Sequence, residues 1–235
     1  MSQPFNGQVA LVAGGTGGLG RALSLAFLAE GATVVVTFRR QQEFDSLQLA
    51  AAGHATRLQG HSIDVTDDSA VHQLIAALVA KYGRIDAMIN AVGGYEAGMK
   101  LWETEPKTFE RMLSLNLFSG YVLARASVPA MLRQGHGSIV NVAAATALDP
   151  PGAAAAYSAS KAAALAMFAS LAKDLKGTGV RANSILPGTI DTEANRKAMP
   201  DADASKWTNP EDIARVVLFL CSDAAKAIQG ATVRV

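Results

Sequence analysis

At 235 residues the chain is long for one average domain and short for two, and its 24.4 kDa is enough to bury a core without metals or disulfides. Half of the residues are hydrophobic and 17% are charged, which excludes a disordered chain, and 21 Lys+Arg against 20 Asp+Glu leave a net charge of +1, with no cationic excess to hold a nucleic acid. The single cysteine, Cys221, excludes an intrachain disulfide framework and suits a reducing compartment.

Met1 to Gln8 is polar and short, without the charged start and apolar core of a leader, so no signal or transit peptide is expected. The mean hydropathy of +0.19 comes largely from alanine. No apolar run approaches the roughly 18 residues that span a bilayer, and a cytoplasmic protein without a membrane partner is expected. Val9 to Ala13 reads as a first strand running into glycines. Leu19, Ala22, Leu23, Ala26 and Phe27 follow helical spacing up to Gly31. Thr33 to Phe38 is a β-branched second strand, followed by a weaker helix over 41–52. A third strand is expected over 55–65, interrupted at Gly60. Asp67 or Asp68 caps a helix carrying Val71, Leu74, Ile75, Leu78, Val79 and Tyr82, and Gly83 ends it. Ala87 to Asn90 is a fourth strand, and Pro106 opens one long helix reaching about Gln134. A strand over 138–142, a helix over 154–176 and a strand over 181–186 follow. Asn209 and Pro210 start a last helix, and residues 231–235 close as a seventh strand.

Buried strands alternating with amphipathic helices predict an α/β fold, a single doubly wound Rossmann domain over 1–235 with a mostly parallel seven-stranded sheet. The longest stretch without clear periodicity, 187–207, reads as a substrate loop. His54, His61, His72 and His136 lack the paired spacing of a metal site, so no metal is expected. Cys221 reads as a packed thiol, and Trp102 either lines a cleft or anchors a loop.

The first strand runs into Ala13-Gly14-Gly15-Thr16-Gly17-Gly18-Leu19-Gly20. Glycines at 14, 18 and 20 allow a tight turn and close approach of a pyrophosphate, and the following helix offers free N–H groups and a positive dipole end. Between an apolar strand and an amphipathic helix, such a pattern is a strong dinucleotide signal. Its spacing resembles that of the short-chain dehydrogenase/reductase family, and the resemblance continues along nearly the whole chain. Asp64-Val65 is similar to the family's adenine-contacting pair, and Asn90-Ala91-Val92-Gly93 to its Asn-Asn-Ala-Gly turn, with Ala91 and Val92 as departures. Asn116 stands where the family has a helix asparagine, Tyr157 and Lys161 match its Tyr-x-x-x-Lys motif, and Pro187-Gly188 matches its nicotinamide-side loop.

The resemblance implies an NAD(P)H-dependent oxidoreductase with Tyr157, Lys161 and Asn116 as catalytic residues. Expected cofactor-binding residues are Gly14, Thr16, Gly18, Leu19, Gly20, Arg39, Asp64, Val65, Asn90, Gly93, Tyr157, Lys161, Pro187, Gly188 and Ile190. Tyr157 and Lys161 share a helix face, and an ammonium near a phenol lowers its pKa towards the working range. The second strand ends Thr37-Phe38-Arg39-Arg40, with Phe38 where NAD-preferring relatives carry Asp. With no acid and two cations there, NADP (as NADPH) is the expected cofactor, with NAD also usable.

The family's catalytic serine, thirteen residues before the tyrosine, is replaced by Ala144, and the nearest hydroxyl is Thr146. Three explanations stand: Thr146 substitutes through a local shift, the substrate does not need the donor, or activity is lost. One branch, the quinonoid dihydropteridine reductases, also resembles the chain in lacking this serine. Its loop is similar to residues 186–207 here, notably Asn195-Arg196-Lys197 and Ser205-Lys206-Trp207. Its Gly-Gly-Trp is similar to Gly93-Gly94-Tyr95, where an aromatic ring could stack on a planar pterin. Tyr95, Ala144 and Thr146 are therefore the expected substrate-lining residues. A small-molecule substrate is implied, of the dihydropteridine kind or that of a general carbonyl or 3-oxoacyl reductase; a non-catalytic dinucleotide sensor is the reading from another class. The family also implies a homodimer or homotetramer through the long helices after the fourth and fifth strands.

Overall fold

The computed structural model describes residues 3–235, so Met1 and Ser2 of the expected leaderless start lie outside the described residues. Seven strands form one sheet in the order β3-β2-β1-β4-β5-β6-β7. They are β1 (Val9–Ala13), β2 (Thr33–Phe38), β3 (Leu58–Ser62), β4 (Ala87–Asn90), β5 (Gly137–Val142), β6 (Val180–Leu186) and β7 (Thr232–Arg234). Every pairing is parallel, so the sheet is wholly and not mostly parallel. Two helical layers cover it. On one face lie α1 (Gly18–Ala29), α2 (Gln41–Ala51) and α8 (Pro210–Cys221), packed around Leu23, Phe27, Val34 and Val217. The other face carries α3 (Asp68–Tyr82), α5 (Ser119–Gln134) and α6 (Ala155–Asp174), around Leu11, Leu78, Leu123 and Phe168. Burial on both faces explains why the strands are apolar runs and not alternating ones.

Several elements depart from the sequence pattern. The helix expected from Pro106 to Gln134 is α4 (Pro106–Leu113), a π-helical turn over Ser114–Phe118, and α5. Such a turn inserts a residue without ending the helix, so apolar periodicity hides it. The third strand is shorter than expected because residues 52–57 form a 3-10 turn. Gly60 leaves room for the Phe44 ring, which a Cβ at this glycine would approach to 2.4 Å. The stretch 187–207 is not wholly irregular: it holds α7 (Glu193–Ala198), with the Thr192 hydroxyl accepting from the Asn195 amide, and a 3-10 turn over Ala204–Lys206. His136 is a satisfied histidine at the opposite end of the sheet. Its Nε2 lies 2.9 Å from the buried Asp86 carboxylate, which also accepts from Val9 N and Arg84. The Cys221 thiol, pushed up to about 12 by burial, is a packing group.

The strand order reverses between β1 and β4, and the carboxyl ends of these two strands open a crevice there.

Candidate active site

The crevice begins at the turn between β1 and α1. Gly14 adopts φ +73°, and its amide donates to Thr37 Oγ1 at 3.0 Å, tying the turn to β2. A Cβ on Gly20 would lie 2.0 Å from Gly14 O, and one on Gly15 would lie 2.4 Å from Val36 Cγ1. The turn therefore needs both glycines to close. The N-cap of α1 is Gly17 and no side chain caps the first turn, so its N–H groups are left for an anion. The adjoining cleft holds about 460 Å³, with Thr16, Phe38, Arg39, Val65, Val92 and Gly93 among its lining residues. That size, the glycine turn and the uncapped helix fit a dinucleotide.

The expected cofactor residues divide into those that face this cleft and those that support it. Gly14, Thr16, Arg39, Val65 and Gly93 line it. Gly18 lies beside it, and a Cβ there would meet Thr192 Cγ2 at 2.5 Å, so the loop after β6 closes against the turn. Leu19 is buried in the core beneath the turn. Asp64 stands between the lining residues Ile63 and Val65, exposed and bonded to Thr66, whose amide and hydroxyl, with Arg39 adding to them, hold its carboxyl below the usual range. Asn90 is buried, donating to Asn141 Oδ1 at 3.1 Å and accepting from Val92 N at 3.3 Å, so it shapes the floor. Pro187 O accepts from Ala145 N at 2.9 Å, Gly188 N donates to Val235 O, and Ile190 forms a parallel bridge with Thr208. These three fix the loop at the ends of the strands.

Phe38 is stacked on Phe44, with ring centroids 4.8 Å apart and planes 3° apart. An acid does reach this end of the cleft, contrary to the sequence expectation. Glu43, in the first turn of α2, accepts from Thr16 Oγ1 at 3.1 Å and pairs with Arg40. The signal for it was an acid in a first helical turn, which also reads as ordinary dipole compensation.

Tyr157 and Lys161 stand one turn apart on α6, and Lys161 reaches the backbone of Gly93, which lines the inner end of the crevice. The Lys161 ammonium is buried and donates to Val142 O at 3.0 Å. A Cβ on Gly93 would lie 3.1 Å from Lys161 Nζ and 2.9 Å from Asn116 Oδ1, so a bare backbone is needed between these side chains. Asn116 sits on the π-helical turn. Its amide is fully used: Oδ1 accepts from Gly94 N at 2.9 Å, and Nδ2 donates to Gly94 O and to Ser160 Oγ, each at 3.0 Å. Ser160 Oγ donates in turn to Tyr157 O at 2.7 Å. Ser160 is a positioning group that sequence reasoning missed, hidden between the two motif residues.

Burial drives the Tyr157 phenol up to about 12; the neighbouring Tyr95 phenol adds to this, and the Thr146 hydroxyl opposes it. The expected lowering by Lys161 is therefore not realised. The ammonium is turned to Val142 O, and burial pushes its own pKa down to about 8. Ala144 is buried and extended, and a 3-10 turn over Ala145–Ala147 follows it. This turn carries the Thr146 hydroxyl towards Tyr157, close enough to favour the phenolate although no well-aligned hydrogen bond joins them. The Thr146 Oγ1 atom is buried with no hydrogen-bond partner among the described residues. Tyr95 meets Tyr157 edge to face, centroids 4.9 Å apart, and its ring is largely exposed. Trp102 is 79% exposed and so does not anchor its loop in the core.

A sequence model described as short chain dehydrogenase matches residues 8–203. The chain is 31% identical to a 3-oxoacyl-[acyl-carrier-protein] reductase of Thermotoga maritima, covering 96% of this chain and 95% of that one. It is 32% identical to a 2,5-dichloro-2,5-cyclohexadiene-1,4-diol dehydrogenase of Sphingobium indicum, covering 98% and 95%. Among solved structures, a short chain dehydrogenase of Shigella flexneri complexed with NADP superposes with a TM-score of 0.91 at 25% identity, covering 100% of this chain and 99% of that chain.

Proposed function

The chain belongs to the short-chain dehydrogenase family and is an NAD(P)-dependent oxidoreductase, and on that premise we propose that it reduces a ketone-type carbonyl with NADPH. The observation that carries this reading is the buried, unpartnered Thr146 hydroxyl beside the Tyr157 phenol. Two neighbouring O–H groups, if both turned to the substrate, would suit a carbonyl oxygen that gains negative charge as it is reduced. Thr146, two residues out of register, thus takes the part that Ala144 cannot. The relatedness to the 3-oxoacyl reductase supports a carbonyl substrate.

The reduced nicotinamide supplies the hydride when bound. The residues proposed to hold the dinucleotide are the 14–20 turn, Arg39 and Val65, with Lys161 beneath Gly93 at the inner end. Tyr157 holds the proton that the substrate oxygen takes up. A phenol near 12 is fully protonated at neutral pH, so the donor is ready before substrate arrives. Asn116 and Ser160 fix the helix turn that carries it. Arg39, which makes no ion pair among the described residues, supports NADPH over NADH.

A second reading, a planar quinonoid substrate of the dihydropteridine kind, is favoured by the exposed Tyr95 ring standing edge-on to Tyr157. It also draws on the sequence resemblance over 186–207. The same account includes self-association through an apolar groove between α5 and α6.

A panel of 3-oxoacyl thioesters, simple ketones and quinonoid dihydropterin, each given with NADPH, separates the two substrates. A carbonyl substrate predicts that Thr146→Val loses roughly 100-fold in kcat while Thr146→Ser keeps most activity. Turnover restricted to the pterin, with Thr146→Val unaffected and Tyr95→Ala impaired, would favour the second reading.

A further inference from the structure

This inference rests on the dinucleotide reading of the cleft and concerns which dinucleotide it takes. Three groups from three segments meet at its outer end: Thr16 on the glycine turn, Arg40 after β2, and Glu43 on α2. The Glu43 carboxylate bridges the other two, accepting from Thr16 Oγ1 at 3.1 Å and pairing with the Arg40 guanidinium. A sequence count places two free cations here; among the described residues the structure leaves Arg39 outside any ion pair, with the Asp64 carboxylate acting on it at longer range. In doubly wound domains an acid about 20 residues beyond the glycine motif accepts from the ribose 2′-hydroxyl. The end of β2, where that acid stands in other chains, is occupied here by Phe38, stacked on Phe44 and unable to accept.

We propose that Glu43 is a specificity-determining residue: a carboxylate supplied from α2 in place of the missing strand-end acid, which opposes a 2′-phosphate and keeps NADH usable. Its negative charge repels a phosphate directly. It also occupies Arg40, which could otherwise neutralise that phosphate. Towards an unphosphorylated ribose it offers an acceptor already fixed by Thr16. Arg39 and Glu43 therefore pull in opposite directions, and the preference for NADPH is held to a small factor.

Titration calorimetry of NADPH and NADH into the full-length chain, without carbonyl substrate, tests this directly. Glu43→Gln keeps the size of the side chain and an oxygen for Thr16 but removes the charge. It is expected to tighten NADPH about tenfold and to weaken NADH, while Arg39→Ala does the reverse for NADPH. Glu43→Ala gives the same direction for NADPH and checks that the effect is the lost carboxylate and not the new amide. Equal changes in both dissociation constants, or none, would overturn the role of Glu43 while leaving the cofactor site standing. Failure of the wild-type chain to bind either dinucleotide would overturn the reading of the cleft itself, and this proposal with it.

Discussion

Lys161 is placed where its charge works against the fold. It is buried, its hydrogen bond goes to a neutral carbonyl, and its pKa falls from 10.5 to about 8. The unfolded chain therefore holds a proton between pH about 8 and 10.5 that the folded chain has released. Stability is lowest below that window and rises with pH across it. At pH 7 this shift corresponds to a cost on the order of 3 kcal/mol. Lys161→Met is thus expected to raise Tm by a few degrees at pH 7, with the gain shrinking towards pH 10, while abolishing turnover. Thermal unfolding of both chains at the two pH values checks this, and an equal loss of Tm at both would contradict it. Residues of this kind were legible from motif spacing: Tyr157, Lys161, Asn116 and the glycines stand at intervals set by one fold. Glu43 and Ser160 were not, because their roles depend on neighbours brought in from other elements: Glu43 meets Thr16, 27 positions away, and Ser160 meets Asn116, 44 positions away.

At the scale of elements, the helix from Pro106 to Gln134 carries two tasks. Its π-helical turn aims Asn116 at the Gly94 backbone. Its second half, α5, presents Tyr121, Ala124, Val128 and Pro129 to a groove shared with Met167 and Leu171 of α6, of about 520 Å³. Phe118 and Tyr121, both partly exposed, stack beside it with centroids 5.6 Å apart. An apolar groove flanked by aromatic rings on two long helices suits a second copy related by a two-fold axis. Sedimentation is expected to give at least twice the chain mass of 24.4 kDa, and Met167→Glu to shift it towards the monomer. A monomeric wild-type chain would contradict this. The strands and most helices were legible because burial on both faces leaves unbroken apolar runs. The π-helical turn was not, since one extra residue leaves the helical stripe almost intact. Nor was the helix at 193–198, whose six residues are too few to carry a period.

Across the whole molecule, the reversal of strand order between β1 and β4 collects distant segments at one edge. The glycine turn, the Asn90 floor, the Thr146 turn, the Tyr157 helix and the loop after β6 all follow carboxyl ends of strands. No helix among the described residues is long and apolar enough to cross a membrane. The central claim is that this edge delivers hydride and a tyrosine proton to one substrate atom. A single-turnover experiment tests it most directly: enzyme preloaded with NADPH is mixed with a carbonyl substrate from the panel, and nicotinamide absorbance is followed. The wild-type chain should consume one NADPH per site in a fast phase that Tyr157→Phe slows at least about 100-fold with both chains saturated with NADPH. An equally fast phase in Tyr157→Phe would contradict the account.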